Sequence, residues 1–366
     1  MKEINYIAEL NLPSKSAYSI HVMKMCNAFS KAGYRTKLYV YTKKKDINLF
    51  KLYKCKNLFK IVGLNYFPIN NSISRMIFVI KIFFIFLSKD KNNYIISRSI
   101  LSALLLSLIS EKVVLELHHE LKSISKTFFY FFLNFYFFKK KIKLIFITKG
   151  LHRHFNIKDI NYKILDDAVD LDDYKFNKKR INLFKNTCVY SGSFTKGKGV
   201  EKIIEIAKCT NKINFHLYGD VSNSVITLKQ IKSMKNVFFK GFLPYNKVPV
   251  TLNQYDVLLL PYSKKVFVRS KNIEVGKFMS PMKLFEYLAS KKIIIASNLP
   301  VYRHILNSKN SILLKYNAPA KIWAKKIEKV YSNKKIFFDL RKKSFATAKK
   351  YTWDLRVKKI LNLFNI

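Results

Sequence analysis

Apolar and polar residues alternate between two periods along this chain of 366 residues. In SIHVMKMCNAFSKAGY, 19–34, apolar side chains recur at helical spacing, and the run stops at Gly33, a residue type that suits helix ends. β-rich runs stand on either side, Asn5 to Leu10 and TKLYVYT at 36–42. VVLELHH at 113–119 and LIFIT at 144–148 are further strand candidates. Strands alternating with helices predict a parallel sheet with crossover connections.

The pattern restarts in the second half. TCVYSGS, 187–193, reads as a strand running into Gly192, GVEKIIEIAKC, 199–209, as an amphipathic helix, and NFHLYGD, 214–220, as the next strand. DVLLLPY, 256–262, and KKIIIAS, 291–297, are continuously apolar, as strands covered on both faces are. The expectation is an α/β protein of two doubly wound domains, 1–175 and 176–345, with the connection around DDAVDLDDYKFNKKR. A last helix, 346–366, would pack back on the first domain. Ligands of such sheets bind outside the carboxyl ends of the strands, here loops 191–199, 219–221, 262–280 and 297–304.

Composition narrows the class. At 49% hydrophobic and 15% aromatic residues, a mostly disordered chain is excluded. The formal charge of +47 points to a polyanionic partner: an acidic membrane surface, nucleic acid or a phosphorylated substrate. An AT-rich genome also writes lysine by default, so the charge alone names no partner. The lysines are scattered, arginine is scarce, and no helix-turn-helix, zinc-finger or aromatic RNA-binding signature is present, so no specific nucleic acid is expected. The four cysteines, at 26, 55, 188 and 209, form no CxxC pair, and the start MKEINYIAEL lacks a secretory apolar segment. Both features predict a reduced, cytoplasmic protein.

Two apolar runs raise the question of a membrane. MIFVIKIFFIFL, 76–87, and FFYFFLNFYFF, 128–138, are shorter than the roughly 20 residues a spanning helix needs. Aromatic rings beside lysines suit the headgroup layer instead. Phe131, Phe135, Lys139, Lys140 and Lys141 are the candidate contacts, on the inner face of the membrane. A helix buried in the core with lysines at its rim would read the same way.

The candidate chemistry lies in FMSPMKLFEYLASKK, 278–292. Ser280 as N-cap and Pro281 as first helical residue would leave the N–H groups of Met282 and Lys283 unpaired at the positive end of the dipole, where anions sit. Glu286 falls one turn deeper, where its carboxylate can accept hydrogen bonds from vicinal sugar hydroxyls. Phosphate at the tip and ribose one turn in is the geometry of a bound nucleotide. YSGSFTKGKGVEK, 190–202, adds a strand ending in Gly192 and a short loop with Lys196 and Lys198. Such a loop can bring ammonium groups to a diphosphate, although a surface turn with two incidental lysines would look alike.

Taken in order, these segments resemble the retaining GT-B glycosyltransferases of the family 4 type, which includes many bacterial capsule, lipopolysaccharide and glycolipid enzymes. The resemblance runs through SKSAYSIHVMKMCNAFSKAGYRTKLYVY, VVLELHH, ITKGL, DDAVDLDDY, VYSGSFTKGKGVEKIIEIA, HLYGD, GFLPYNKVP, DVLLLPY, SPMKLFEYLASKKIIIASNLP and YTW. It implies two Rossmann-like domains facing across a cleft, the first binding the acceptor and the second a UDP- or GDP-linked sugar. Glu286 would hold the ribose and Lys198 the diphosphate, with Gly192, Ser193, Lys196 and Gly219 lining the donor site. The turn at Ser280, Met282, Lys283 and Leu284 would face phosphate and sugar, and Phe242 and Leu243 the base. His118 matches a histidine near the reacting carbon, with His119 beside it. Two departures stand out. The first of the family's paired acids, eight positions before Glu286, is Phe278 here, and Ser193 replaces an arginine.

The resemblance implies transfer of a sugar to a lipid-linked or polysaccharide acceptor, with retention of configuration. Lysines and a helix dipole would stabilise the departing diphosphate without a metal or other cofactor; Asp170 to Asp173, DLDD, fall in the domain connection. A non-catalytic relative and a basic nucleic-acid binder are the alternatives.

Overall fold

The computed structural model describes residues 2–42, 48–64, 71–89, 93–121, 123–175, 184–222, 224, 226–268 and 273–365. Residues 176–183 of the expected connection and 269–272 of the expected site loop lie outside them. The chain forms two compact units, Met1–Asp166 with Trp353–Ile366, and Asp167–Thr352.

The first unit is built on seven parallel strands: β1 (Glu3–Leu12), β2 (Arg35–Thr42), β3 (Lys60–Leu64), β4 (Tyr94–Ser97), β5 (Val113–Leu117), β6 (Ile142–Phe146) and β7 (Tyr162–Ile164). Their order is β3-β2-β1-β4-β5-β6-β7. β4 and β5 are buried at every position, so they carry apolar residues without alternation. Helix α1 (Ala17–Lys31) begins where the Ser16 side chain accepts the Ser19 N–H, and the chain leaves it through Gly33 at φ +88°. Helices α2 (Leu49–Leu52), α3 (Ser72–Leu87), α4 (Ile100–Ile109), α5 (Ser123–Asn134), α6 (Tyr136–Lys141) and α7 (Lys149–Phe155) complete the crossovers. The C-terminal helix, Trp353–Phe364, packs on α1 and β7 and buries Trp353, Arg356, Val357 and Ile360.

The second unit has six parallel strands: β8 (Thr187–Ser191), β9 (Asn214–Tyr218), β10 (Val237–Phe239), β11 (Val257–Leu260), β14 (Ile293–Ser297) and β15 (Ile312–Leu314). A hairpin of β12 (Phe267–Val268) and β13 (Ile273–Glu274) stands apart from the sheet. The order β10-β9-β8-β11-β14-β15 reverses between β8 and β11, so the loops leaving those two strands flank the switch point where ligands of open α/β sheets bind. Helices α8 (Val200–Lys208), α9 (Leu228–Lys232), α10 (Val248–Asn253), α11 (Met282–Ala289), α12 (Ala320–Ser332) and α13 (Phe338–Ala348) surround it.

The units divide at Asp166/Asp167 and Thr352/Trp353, against expected boundaries of 175/176 and 345/346. Val169 and Tyr174 already belong to the second core, and the Val169 N–H donates to the Tyr351 carbonyl at 2.9 Å. Among the described residues, no helix is long and apolar enough to cross a membrane.

Candidate active site

β8 delivers its backbone to Gly192, whose φ of +155° favours glycine. The Gly192 N–H donates to the Tyr218 carbonyl at 2.8 Å, continuing the ladder with β9. Gly219, at the end of β9, lies so close that a Cβ there would stand 1.9 Å from the Gly192 carbonyl oxygen. Two strand ends therefore meet backbone to backbone.

Side chains gather over this floor. The Lys198 ammonium donates to Ser193 Oγ at 2.7 Å, and burial pushes it down to about 8. The Ser193 carbonyl accepts the Tyr190 hydroxyl at 2.9 Å, which fixes the loop beneath it. The Lys283 ammonium is buried 4.1 Å from the centre of the Tyr190 ring and 5.3 Å from that of Tyr262. Burial first, then the neighbouring Lys198 charge, pushes it well below the usual lysine range, with Glu286 opposing. Glu286 is itself only 8% exposed. Its carboxylate acts on the buried hydroxyls of Tyr174, Tyr262 and Tyr287.

The start of α11 differs from expectation. Met282, not Pro281, is the first helical residue, and Pro281 holds the cap position without a side-chain bond. Ser280 Oγ instead accepts the Asp167 N–H at 3.0 Å, so the serine ties down the first residue of the second unit. Leu284 also departs from its expected role: its side chain lies in the core, and its N–H donates to the Pro281 carbonyl at 2.9 Å. The proline closes a tight turn that takes this donor away from any ligand. Met282 is 7% exposed. Lys196 is exposed, its ammonium 5.7 Å from the centre of the Phe267 ring, while Phe242, 40% exposed, and the partly buried Leu243 follow β10. Phe278 is 9% exposed.

In the first unit, sequence reasoning singled out His118 and missed its surroundings. His118 follows β5, and its side chain is 13% exposed, whereas His119 is exposed and faces the Glu120 carbonyl at 2.8 Å. Beneath His118 lies the fully buried Glu116. Its Oε2 accepts the Tyr6 hydroxyl at 2.6 Å, and its Oε1 pairs with Arg356 and lies 3.2 Å from His21 Nε2 and 3.6 Å from His118 Nε2. Arg356 also donates to the Leu165 and Asp166 carbonyls, at the exit of the unit. Burial alone would raise the Glu116 carboxyl, but His21, Arg356 and His118 hold it well below the usual range. Burial, reinforced by the Arg98 charge, pushes His118 down to about 3, so the imidazole is neutral. His21, Glu116 and His118 could converge on an ion, yet the carboxylate already serves Tyr6 and Arg356, and a metal would have to displace them. The signal in the sequence was the single acid within VVLEL, a strand otherwise apolar throughout.

Both units are parallel-sheet α/β domains, and together they define the GT-B fold. The chain superposes on a glycosyltransferase from Rickettsia africae with a TM-score of 0.72 at 13% identity, covering 100% of this chain and 98% of that one. It superposes on Anabaena HepE in complex with UDP and glucose with a TM-score of 0.71 at 13% identity, over 98% and 99%. A mutant of S. aureus TarM in complex with Fondaparinux, alpha-GlcNAc-glycerol and UDP gives 0.72 at 14% identity, over 100% of both chains. No curated protein matches the sequence. Residues 172–351, nearly the whole of the second unit, match the family model described as Glycosyl transferases group 1. The protein is a glycosyltransferase.

Proposed function

We propose that the protein moves a sugar from a nucleoside diphosphate to a hydroxyl of a lipid-linked or polysaccharide acceptor, with retention at the anomeric carbon. The observation that carries this reading is the pair of buried ammonium groups, Lys198 and Lys283, above the Gly192–Gly219 floor, with the buried Glu286 one helical turn beyond Lys283. Lysines placed there neutralise a diphosphate as it departs and gain strength from the low-dielectric surroundings. Glu286, which cannot favour phosphate, accepts the ribose hydroxyls, and Phe242 and Leu243 supply apolar surface for the base. HepE and TarM, both solved with UDP, support a nucleotide-linked donor.

His118, a neutral imidazole at the end of β5, is assigned to hydrogen-bond the acceptor within the first unit. No protein carboxylate is assigned as nucleophile; the departing phosphate oxygen takes the acceptor's proton as the new bond forms on the same face. The charge on the diphosphate is met by lysines rather than by a metal ion.

The acceptor side meets a membrane. α3 exposes Ile73, Met76, Ile80, Phe84 and Leu87, which fall along one helical face, while Phe78, Val79, Ile82 and Phe86 face the core. α5 exposes Phe128 and Phe131, with Phe135 just beyond it, ahead of Lys139, Lys140 and Lys141. Contiguous apolar faces of this kind mark contact sites, and the net charge of +47 favours an anionic inner-leaflet surface. The direct test is binding and turnover. UDP- and GDP-sugars are screened for thermal stabilisation, then incubated with membrane lipid extract, and the glycosylated product is sought. A protein that binds neither nucleotide is not a nucleotide-sugar enzyme of this kind, and one that binds without turnover is the non-catalytic relative.

A further inference from the structure

The Lys283 ammonium is an oddity on physical grounds. It is buried, with no hydrogen-bond acceptor among the described residues. Its near neighbours are two aromatic faces, Tyr190 from β8 and Tyr262 from the segment after β11. The charged groups acting on it are Lys198 from the β8–α8 loop, which repels, and Glu286 from its own helix, which attracts. Aromatic faces offset part of the cost of burying a cation, but an ammonium makes three hydrogen bonds in water, and no described residue supplies an acceptor here. Folding alone does not call for that arrangement.

Its position explains it. Lys283 Nζ occupies the space a side chain at residue 192 would fill, 1.9 Å from where a Cβ on Gly192 would stand. The glycine keeps open a path by which a long side chain from α11 reaches the end of β8. Lys198 comes to the same strand end from the other direction, held on Ser193 Oγ. Two ammonium groups converge on one strand end, and among the described residues one carboxylate, Glu286, acts on Lys283, so the positive charge there exceeds the negative.

Resting on the donor-site reading above, we propose that the Lys283 side chain is the second cation of the diphosphate clamp, and that it takes a proton from solution when the nucleoside diphosphate arrives. In the free protein the ammonium form is disfavoured by burial and by Lys198. A diphosphate placed between the two lysines supplies both the missing acceptors and the compensating charge, so the protonated form becomes the stable one. Donor binding and proton uptake are then one event, and the clamp reaches full charge only when it is occupied. Lys196, exposed beside Phe267, is not part of it.

The test is calorimetric titration of the full chain with UDP and with GDP at pH 7, in two buffers of different ionisation enthalpy. At that pH Lys198, at about 8, already carries most of its proton, so the difference in proton count between wild type and Lys283→Met reports on Lys283. The expected result is net proton uptake with the wild type. It is lost in Lys283→Met, whose affinity falls by about ten- to a hundredfold, as loss of a charge-assisted contact does. It is also lost in Lys283→Arg, which is charged at all times and binds with its affinity largely kept. Equal proton counts in wild type and Lys283→Met overturn the proposal. If Lys283→Met does not fold, the wild-type count decides alone, and no uptake or net release overturns it. Binding of UDP or GDP without uptake therefore leaves the donor site standing and removes this inference. Failure of both nucleotides to bind removes the donor site as well.

Discussion

Lys198 Nζ lies 2.7 Å from Ser193 Oγ, so the lysine assigned to the diphosphate is held by a neutral hydroxyl and not by a carboxylate. A carboxylate would have kept its proton on to high pH; a hydroxyl does not, and burial leaves the group at about 8. Above that pH the clamp loses charge. We expect kcat/KM for the donor to fall as pH rises through about 8. In Lys198→Arg, which stays protonated, the break at about 8 should vanish. The stability trend has the opposite sign. An unfolded lysine titrates near 10.4, so between about 8 and 10.4 the unfolded chain holds a proton the folded one has released. Over that window this group's contribution to stability rises with pH. Activity and melting temperature measured together separate loss of the cation from loss of the fold.

Glu286 gives a second prediction. It is buried, and its charge acts on three tyrosines and on Lys283. Glu286→Gln keeps the size and one acceptor oxygen but loses the charge that strengthens hydrogen bonds from ribose hydroxyls. Affinity for the nucleotide is expected to fall by about 1.5–3 kcal/mol, the range for a hydrogen bond to a charged group, with little change in melting temperature. Full affinity in Glu286→Gln would end the ribose assignment.

Much of this site could be read from the chain, and what could not be read shares one physical cause. The loop at 190–199 is local: a strand, a glycine and two lysines in sequence, and the strand does run to Ser191 with Gly192 beyond it. Ser280 was misread because its bonding partner, Asp167, is 113 residues away, and Ser-Pro before a helix looks like a cap whatever the hydroxyl touches. For Lys283 only the backbone N–H was picked out; its ammonium joins the site once the fold brings Tyr190 and Tyr262 around it. The inner strands β1, β2, β5, β6, β8, β9, β11 and β14 were legible as β-rich or apolar runs. β3, β7, β10 and β15 were not, since they are the edge strands of the two sheets and lack a long continuous apolar run, and β4, of four residues, is too short to stand out.

Glu116 makes the third prediction. It joins β5, α1 and the C-terminal helix through His21 and Arg356, and those partners lie 95 and 240 residues away in sequence. Glu116→Ala leaves the Arg356 guanidinium buried and uncompensated, so the first unit should lose about 3–5 kcal/mol, the cost of breaking a buried pair from one side. Acid has a related effect. Folded His118 titrates at about 3, and an unfolded histidine near 6.5. Between those values only the unfolded state is protonated, so stability falls as pH drops from about 6.5 to 3. His118→Gln should flatten that slope in urea titrations. The same neutral imidazole means that His118 contributes no acid limb near 6.5 to the rate profile.

The last prediction concerns the two exposed apolar faces. α3 and α5 each pack on α4, which itself exposes Leu108 at 44%, so the three helices can offer one surface. A core helix would not expose Ile73 at 71%, Phe84 at 64% and Phe131 at 58%. Removing such side chains from the surface should cost the fold little, because they bury little within it. Burying each in an acyl layer is worth about 1.5–3 kcal/mol, so the triple change Ile73→Ser, Phe84→Ser, Phe131→Ser should abolish flotation with anionic liposomes while leaving the melting temperature within a few degrees. Replacing Lys139, Lys140 and Lys141 by glutamine should instead weaken flotation in a salt-sensitive way, by roughly 1 kcal/mol per lysine. Equal recovery with neutral and anionic vesicles would remove the electrostatic part of the argument. Unchanged recovery of the serine variant would remove the apolar part and send these side chains back to being an unexplained surface.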